Sequence, residues 1–432
     1  MISKFTLNTN VYYLSDQIKE LGLYSLFAVL IWASFLGAFA HPLINTNRFL
    51  LLSFVVLSII LLNRRLVSFC MPWAFGFYIL FAILALASFL YSYDTSLTII
   101  EFRHIIISIL VFTSTYNFAS SKKRIVTLMN LYIVLLIFYA FYLFTYSNVF
   151  SLGARFHFEE KSYNVIMLEF LMGVIFCFIS ATLTNKKLKY YVLSAFFVAI
   201  IIATGSVKGF IATGFFIVLS FIPTRIKVQR KFHFRISIRR IWQALIFIFI
   251  FGGSILFFVN KGFLDRGVSR STATIMFLIS NDIENGERAA GSVHGFRTEL
   301  TNYGIEFWKE HALFGAGINN YRYLIEKRYG LSTYSHSTPI ELLVGTGLVG
   351  FFLYFLFIIS IFCILFYSYI KTKEHYILLF IYGFTTLILI SFGQRMYADI
   401  YQFFYIALIL SFIKTKLPPK GVKISPIPRR GH

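Results

Sequence analysis

The recurrence of apolar runs limits this chain's fold more than any other feature. Such runs occupy 21–40, 48–62, 72–92, 98–118, 125–147, 163–183, 190–204, 208–222, 241–259, 338–370, 376–392 and 400–413. A hydrocarbon layer about 30 Å thick is crossed by about 20 apolar residues in a helix. In lipid every backbone N–H and C=O must be satisfied within the protein, and a helix does that within one segment. The expected fold class is therefore an all-α polytopic membrane protein with about 12 transmembrane helices. Composition agrees, with 13% charged residues where a soluble domain carries about 25%.

The runs divide the chain into a bundle of nine predicted spans over 1–259, a loop subdomain over 260–337, three predicted spans over 338–413 and a basic tail over 414–432. Ala38-Phe39-Ala40 has the shape of a signal-peptidase site. The apolar stretch before it is too long for a signal peptide, so an uncleaved first span is expected. No internal repeat is evident, which gives no support to a transporter built by duplication. Cys70, Cys177 and Cys363 sit in or beside apolar runs, a pattern that indicates neither a disulfide framework nor a zinc site.

Orientation follows from Lys and Arg. With the N-terminus inside and each run crossing once, the inner segments hold 25 of the 40 basic residues and only Asp16, Glu20 and Glu374 as acids. The outer half is then electrically balanced, and the net charge of +22 lies entirely inside. That is the positive-inside rule, so the charge reports topology and not nucleic-acid binding. Seven of those basic residues fall in 223–240, which suits anionic headgroups. The same count places 260–337 on the extracytoplasmic face and both termini in the cytoplasm.

The most polar long stretch runs from Gly295 to Gly350. Phe296, Leu300, Tyr303 and Phe307 recur at helical spacing, which predicts an amphipathic helix over 295–310 with Arg297 on an adjacent stripe. Two glycines break the chain at Leu313-Phe314-Gly315-Ala316-Gly317. Asn319 then reads as the cap of a second helix carrying Arg322, Lys327 and Arg328 and ended by Gly330. Thr338-Pro339-Ile340-Glu341 fits a capping box with Thr338 as N-cap. His336 falls just before that helix, where the positive end of the helix dipole favours a neutral imidazole. Gly345, Gly347 and Gly350 read as close-packing positions.

Charges elsewhere near the spans carry less. Lys208 follows Thr204-Gly205-Ser206-Val207 between two apolar runs, consistent with an outer-face hairpin or broken helix that points the ammonium into a cavity, or with a snorkelling side chain. Glu101, Arg103 and His104 in the fourth run, and Gln394-Arg395 with Asp399 in the last outer turn, read as structural pairs. Arg155, His157, Glu159 and Glu160 read as solvated surface. Asp282 and Glu284 stand in a polar loop without a histidine at metal-ligand spacing and read as loop.

His336-Ser337, nine residues, Gly347, two residues and Gly350 resembles the H[NSQ]x9Gxx[GTY] signature of the bacterial O-antigen polymerase/ligase superfamily (Wzy and WaaL types). Arg297, Trp308 and Phe314-Gly315-Ala316-Gly317 are similar to its R…W…PxxGxG stretch, with Ala312-Leu313 where the proline is expected. Thr204-Gly205-Ser206-Val207-Lys208 is similar to its TGSR-like turn, with a lysine one position on from the arginine. The resemblance implies a GT-C-like, inverting, metal-independent glycosyltransferase without a cofactor, in the bacterial inner (plasma) membrane. Its donor and acceptor would be glycans on undecaprenyl pyrophosphate, and a chain-length regulator and a flippase are candidate partners. Arg297 would stabilise the departing pyrophosphate, with Lys208 or Arg322 in support, and His336 would deprotonate the acceptor hydroxyl.

The first reading is a polymerase of capsule or O-antigen repeat units. The second is a ligase that transfers the glycan to lipid A-core or protein. A flippase or other transporter without catalysis is the third.

Overall fold

The computed structural model describes residues 2–37, 46–62, 70–146, 163–184, 186–204, 206–221 and 293–416. Several features read from the sequence lie outside the described residues. They are Ala38-Phe39-Ala40, the 155–160 loop, the basic segment 223–240, the run at 241–259, the Asp282 and Glu284 pair and the tail beyond 416.

Among the described residues the chain is helical, with no strand. The first eight helices are α1 (Ile2–Gly37), α2 (Thr46–Leu62), α3 (Phe75–Ala87), α4 (Thr95–Phe118), α5 (Lys122–Tyr146), α6 (Tyr163–Leu183), α7 (Lys187–Ala203) and α8 (Val207–Phe221). After them come α9 (Val293–Glu310), α10 (Tyr321–Tyr329), α11 (Thr338–Thr372), α12 (His375–Ser391) and α13 (Ile400–Lys416). Five segments are long and apolar enough to cross a membrane: Gln17–Phe35, Thr95–Phe118, Lys122–Thr145, Asn164–Leu183 and Thr338–Thr372. Asn47–Leu62, Phe75–Leu90, Lys208–Phe221 and His375–Ser391 are shorter apolar helices.

A helix that is apolar all round belongs in the interior of a bundle. Two helices meet that description. α6 packs against α5, α7, α8 and α12, and 89% of its apolar window is buried. α13 is buried at every position from Tyr401 to Ile413 and packs against α4, α5, α11 and α12. The turn between α12 and α13 is fastened from two sides. Tyr78 Oη donates to Tyr397 O at 2.9 Å, and Ser108 Oγ donates to Ala398 O at 2.8 Å.

α11 is the helix that positions the polar region, and it is broken. Gly347 has φ 63° and ψ −165°, a conformation open in practice to glycine alone. In an unbroken helix the carbonyls of Val344 and Gly345 would accept from the amides of Leu348 and Val349. Here all four groups bond to the 312–317 loop. Ala316 N donates to Val344 O at 2.7 Å and Gly317 N to Gly345 O at 3.0 Å, while Leu348 N donates to Ala312 O at 2.9 Å and Val349 N to Leu313 O at 3.2 Å. The two backbones touch, and a Cβ on Gly347 would sit 2.3 Å from the Leu313 carbonyl carbon.

This corrects the sequence expectation for 338–370. The glycines Gly345 and Gly347 admit a loop's backbone, not a neighbouring helix. The part after the break, 348–372, is ~37 Å long at 1.5 Å per residue and long enough to span alone. Residues 338–346 are thereby a separate short helix.

α9 lies on that short helix. Leu300 and Phe307 are buried with Ala316, Tyr321, Ile325, Ile340 and Val344 in a second core, as the spacing of Leu300 and Phe307 predicts. A Cβ on Gly304 would stand 2.3 Å from the Ile340 side chain, so the two helices are in close contact there. Tyr321 Oη adds a bond to Leu300 O at 2.7 Å.

Gly347→Ala should destabilise the protein by about 3 kcal/mol or more, from the forbidden backbone and the clash together. Thermal unfolding in detergent reads this directly. Gly76→Ala, whose Cβ meets nothing within 4 Å, is the control and should change little.

Candidate active site

His336 stands at the mouth of the short helix in a strained backbone, with φ 58°. A left-handed conformation costs a non-glycine residue about 1–2 kcal/mol, so its neighbours must enforce it. Ser335 N donates to Glu341 Oε1 at 2.8 Å, Ser335 Oγ donates to Ser337 O at 3.0 Å, and Ser337 N donates to Ser335 Oγ at 3.2 Å. These bonds clamp both sides of the histidine.

The helix start differs from the sequence expectation by one residue. Ser337 is the N-cap, and Thr338 is the first helical residue. The Thr338 hydroxyl is engaged elsewhere, donating to Gln394 O and accepting from Met396 N, both at 2.8 Å. Glu341 does reach back as in a capping box, but to the amide of Ser335.

The imidazole of His336 packs against Tyr334 with ring centroids 4.0 Å apart. Its Nδ1 is buried and has no hydrogen-bond partner among the described residues. Burial, and then the positive charges of Arg297 and Lys208, hold its pKa down to about 4. The ring is therefore neutral near pH 7, with a nitrogen free to act.

Lys208 reaches the site from the first turn of α8, where its Nζ donates to Gly393 O. α7 ends at Ala203 and α8 begins at Val207. Arg297 enters from the first turns of α9, a helix fixed by Leu300 and Gly304 against α11. Its side chain is partly exposed. The structure thus brings Lys208, Arg297 and His336 into one electrostatic neighbourhood from three segments.

Arg322 is placed differently. It lies exposed on α10, where its Nε and Nη2 donate to Ser332 Oγ at 3.2 and 2.8 Å. It is not among the charges that act on His336. The cap expected at Asn319 also moves. Asn320 holds the N-cap position of α10, and Asn319 has φ 63°. Gly330 does end that helix, at φ 70°.

Both asparagines tie the glycine loop to α4. Asp94 N donates to Asn320 Oδ1 at 2.6 Å, and Asn320 Nδ2 donates to Thr98 Oγ1 at 2.9 Å. Arg395 Nη1 bonds Asn319 Oδ1 at 2.6 Å and lies 3.0 Å from Glu101 Oε2. Glu101 is fully buried, and His104 Nδ1 stands 3.5 Å from the same oxygen. The signal for Glu101 was present in the sequence, as a carboxylate in an apolar run. Its partner, almost 300 residues away, was not.

Two cations beside a neutral, unsatisfied imidazole can hold an anion and accept a proton from a neighbouring hydroxyl. Residues 192–355, which contain all three groups and the break in α11, match the O-antigen ligase family model. That match supports the chain's similarity to the O-antigen polymerase/ligase superfamily. Members of that family are glycosyltransferase-like enzymes, and with the apolar helices the match identifies an integral membrane protein. Comparison with curated proteins gives no match. The Glu101–Arg395 pair and Gln394 lie outside the family-matched stretch.

A base held down to about 4 is lost only when the pH falls through that value. Transfer measured as kcat/KM in the free enzyme's range should stay level from neutrality to about pH 5 and halve near pH 4. A midpoint near the ordinary histidine value of about 6.5 would contradict this site. Arg297→Gln removes one depressing charge and should move the acid limb of any residual activity to higher pH.

Proposed function

We propose that this protein is a polysaccharide polymerase that joins glycan repeat units carried on undecaprenyl pyrophosphate. The observation that carries the reading is the neutral His336, with its orphaned Nδ1, flanked by Arg297 and Lys208. A sugar bonded through its anomeric carbon to pyrophosphate already has a good leaving group. Such a reaction needs a charge clamp for the departing anion and a base for the incoming hydroxyl. Arg297 and Lys208 supply the first.

His336 supplies the second. It takes the proton of an acceptor sugar hydroxyl as that oxygen attacks the anomeric carbon. The bond to pyrophosphate oxygen breaks, and the electron pair leaves with the lipid pyrophosphate. Attack opposite the leaving group inverts the anomeric centre. A positioned base contributes about 10²–10⁴-fold to such a step. Placement of this site on the extracytoplasmic face, with both termini in the cytoplasm, rests on the distribution of Lys and Arg.

The match to the O-antigen ligase family supports a second reading, a ligase. The donor chemistry would be the same, and the acceptor would be lipid A-core or protein. Deletion separates the two: a polymerase's loss leaves lipid-linked single repeats, and a ligase's loss leaves long chains without their acceptor.

His336→Ala, expressed at normal membrane levels, should abolish long-chain polymer on a gel. Normal chain length in that variant would remove histidine from the mechanism. Arg297→Lys should be nearly as damaging as Arg297→Ala, because lysine offers a point charge where arginine offers a planar fork. Full activity in the lysine variant would mean that charge alone suffices.

A further inference from the structure

The turn between α12 and α13 borders the reacting groups, yet the chemistry above leaves one of its side chains without a role. Its backbone is held at several points. Gly393 O accepts from Lys208 Nζ, Gln394 O accepts from Thr338 Oγ1 at 2.8 Å, and Met396 N donates to the same Thr338 hydroxyl. Gln394 therefore sits one residue from the carbonyl that anchors the Lys208 ammonium. Its own carbonyl is bonded two residues beyond His336. The fit is close, since a Cβ on Gly393 would stand 2.9 Å from Lys208 Cε.

Gln394 is 8% exposed, and its Oε1 is buried with no hydrogen-bond partner among the described residues. A buried amide oxygen left without a donor destabilises a fold, and an apolar side chain of similar shape there would not. Nothing that the turn does for the fold uses this oxygen. Its chemistry limits what it can meet. A carbonyl oxygen accepts O–H or N–H and repels phosphate oxygens, so it does not share the anion clamp with Arg297 and Lys208. A glycan beside that clamp offers the matching donors, sugar hydroxyls and acetamido N–H groups.

We propose that Gln394 Oε1 accepts a hydrogen bond from a hydroxyl or acetamido N–H of the glycan held next to Lys208 and His336. Gln394 is then a binding residue for the sugar adjoining the reacting bond. The proposal rests on the glycan-transfer reading above and adds a specificity element to it. A site built to bond a polar group discriminates strongly against an analogue that lacks it, because its own buried group is then left unpaired.

The test uses the full chain purified in detergent. Its substrate is lipid-linked glycan extracted from cells deleted for this protein. Gln394→Met keeps the length of the side chain and removes the amide. It should raise KM about tenfold or more, the ordinary effect of one lost buried hydrogen bond, with kcat within about threefold. Its thermal midpoint should equal or exceed that of the parent, because the orphaned oxygen is gone. An unchanged KM overturns the proposal, as it would if an ordered water filled the oxygen's need. A lowered thermal midpoint also overturns it, because the amide would then be serving the fold. His336→Ala in the same assay tests the transfer reading by itself. If His336→Ala is inactive and Gln394→Met binds normally, only the role of Gln394 fails. If His336→Ala is fully active, the reading beneath it fails.

Discussion

The site depends on one backbone constraint, the interruption of α11 at Gly347. A helix cannot be broken in an apolar setting without leaving polar groups in need, each at about 1–3 kcal/mol if unpaired. The 312–317 loop meets that need with four bonds that alternate in direction across the break. This is a reciprocal arrangement, because the loop has no strand or helix of its own to satisfy those same groups. The loop fixes the short helix 338–346, and the short helix fixes the loop. His336 hangs from one end of that unit, and α9 with Arg297 lies across its face. Three features with little in common in the sequence thus share one mechanical support.

A second support is electrostatic. Glu101 is buried, and a buried carboxylate survives as an ion only when paired and hydrogen-bonded. Arg395 provides the pair, and Asn319 takes a further bond from the same guanidinium nitrogen. Burial is the largest influence and works against the cation, and Glu101 together with the other acidic groups around it more than offsets it, so Arg395 stays protonated. Removing either partner would strand the other. The pair therefore acts as a clasp between α4, the glycine loop and the α12–α13 turn. The charges of Arg297 and Lys208, by contrast, reach His336 and favour its neutral form.

Periodicity and hydropathy made much of this legible. The helices of the described residues follow the apolar runs, and Leu300 and Phe307 face inward as their spacing requires. Lys208, Arg297 and His336 were singled out from charge, helix-start chemistry and resemblance, and the fold gathers them. The errors share a physical origin. Thr338 looks like a cap because threonine's hydroxyl suits that role, but the hydroxyl bonds the 394–396 backbone, which no local pattern can reveal. Asn319 looks like a cap for the same reason, and it serves Arg395 instead. Gly347 reads as a packing glycine because helix packing and backbone docking make the same demand, the absence of a Cβ. Arg322 was chosen for its charge and its neighbourhood in the chain, and a bond to Ser332 turns it along the surface of α10.

The division of the site along the sequence has a chemical logic. The groups that any lipid-pyrophosphate glycan transfer needs, a base and an anion clamp, all lie within the family-matched residues 192–355. They are indifferent to which sugar is carried. The α12–α13 turn lies beyond that stretch, yet it contacts both parts of the reacting set, Lys208 through Gly393 and the helix start through Gln394. Its backbone bonds specify position and leave the side chains free to differ. Gln394 is a neutral residue set beside charged ones, with an oxygen that can read a hydroxyl and cannot hold a phosphate. A transferase that must keep one reaction while accepting one repeat unit needs that separation. On the proposed reading, the charged groups would set the rate of bond exchange, and a neutral acceptor on an adjoining turn would set which glycan is close enough to react.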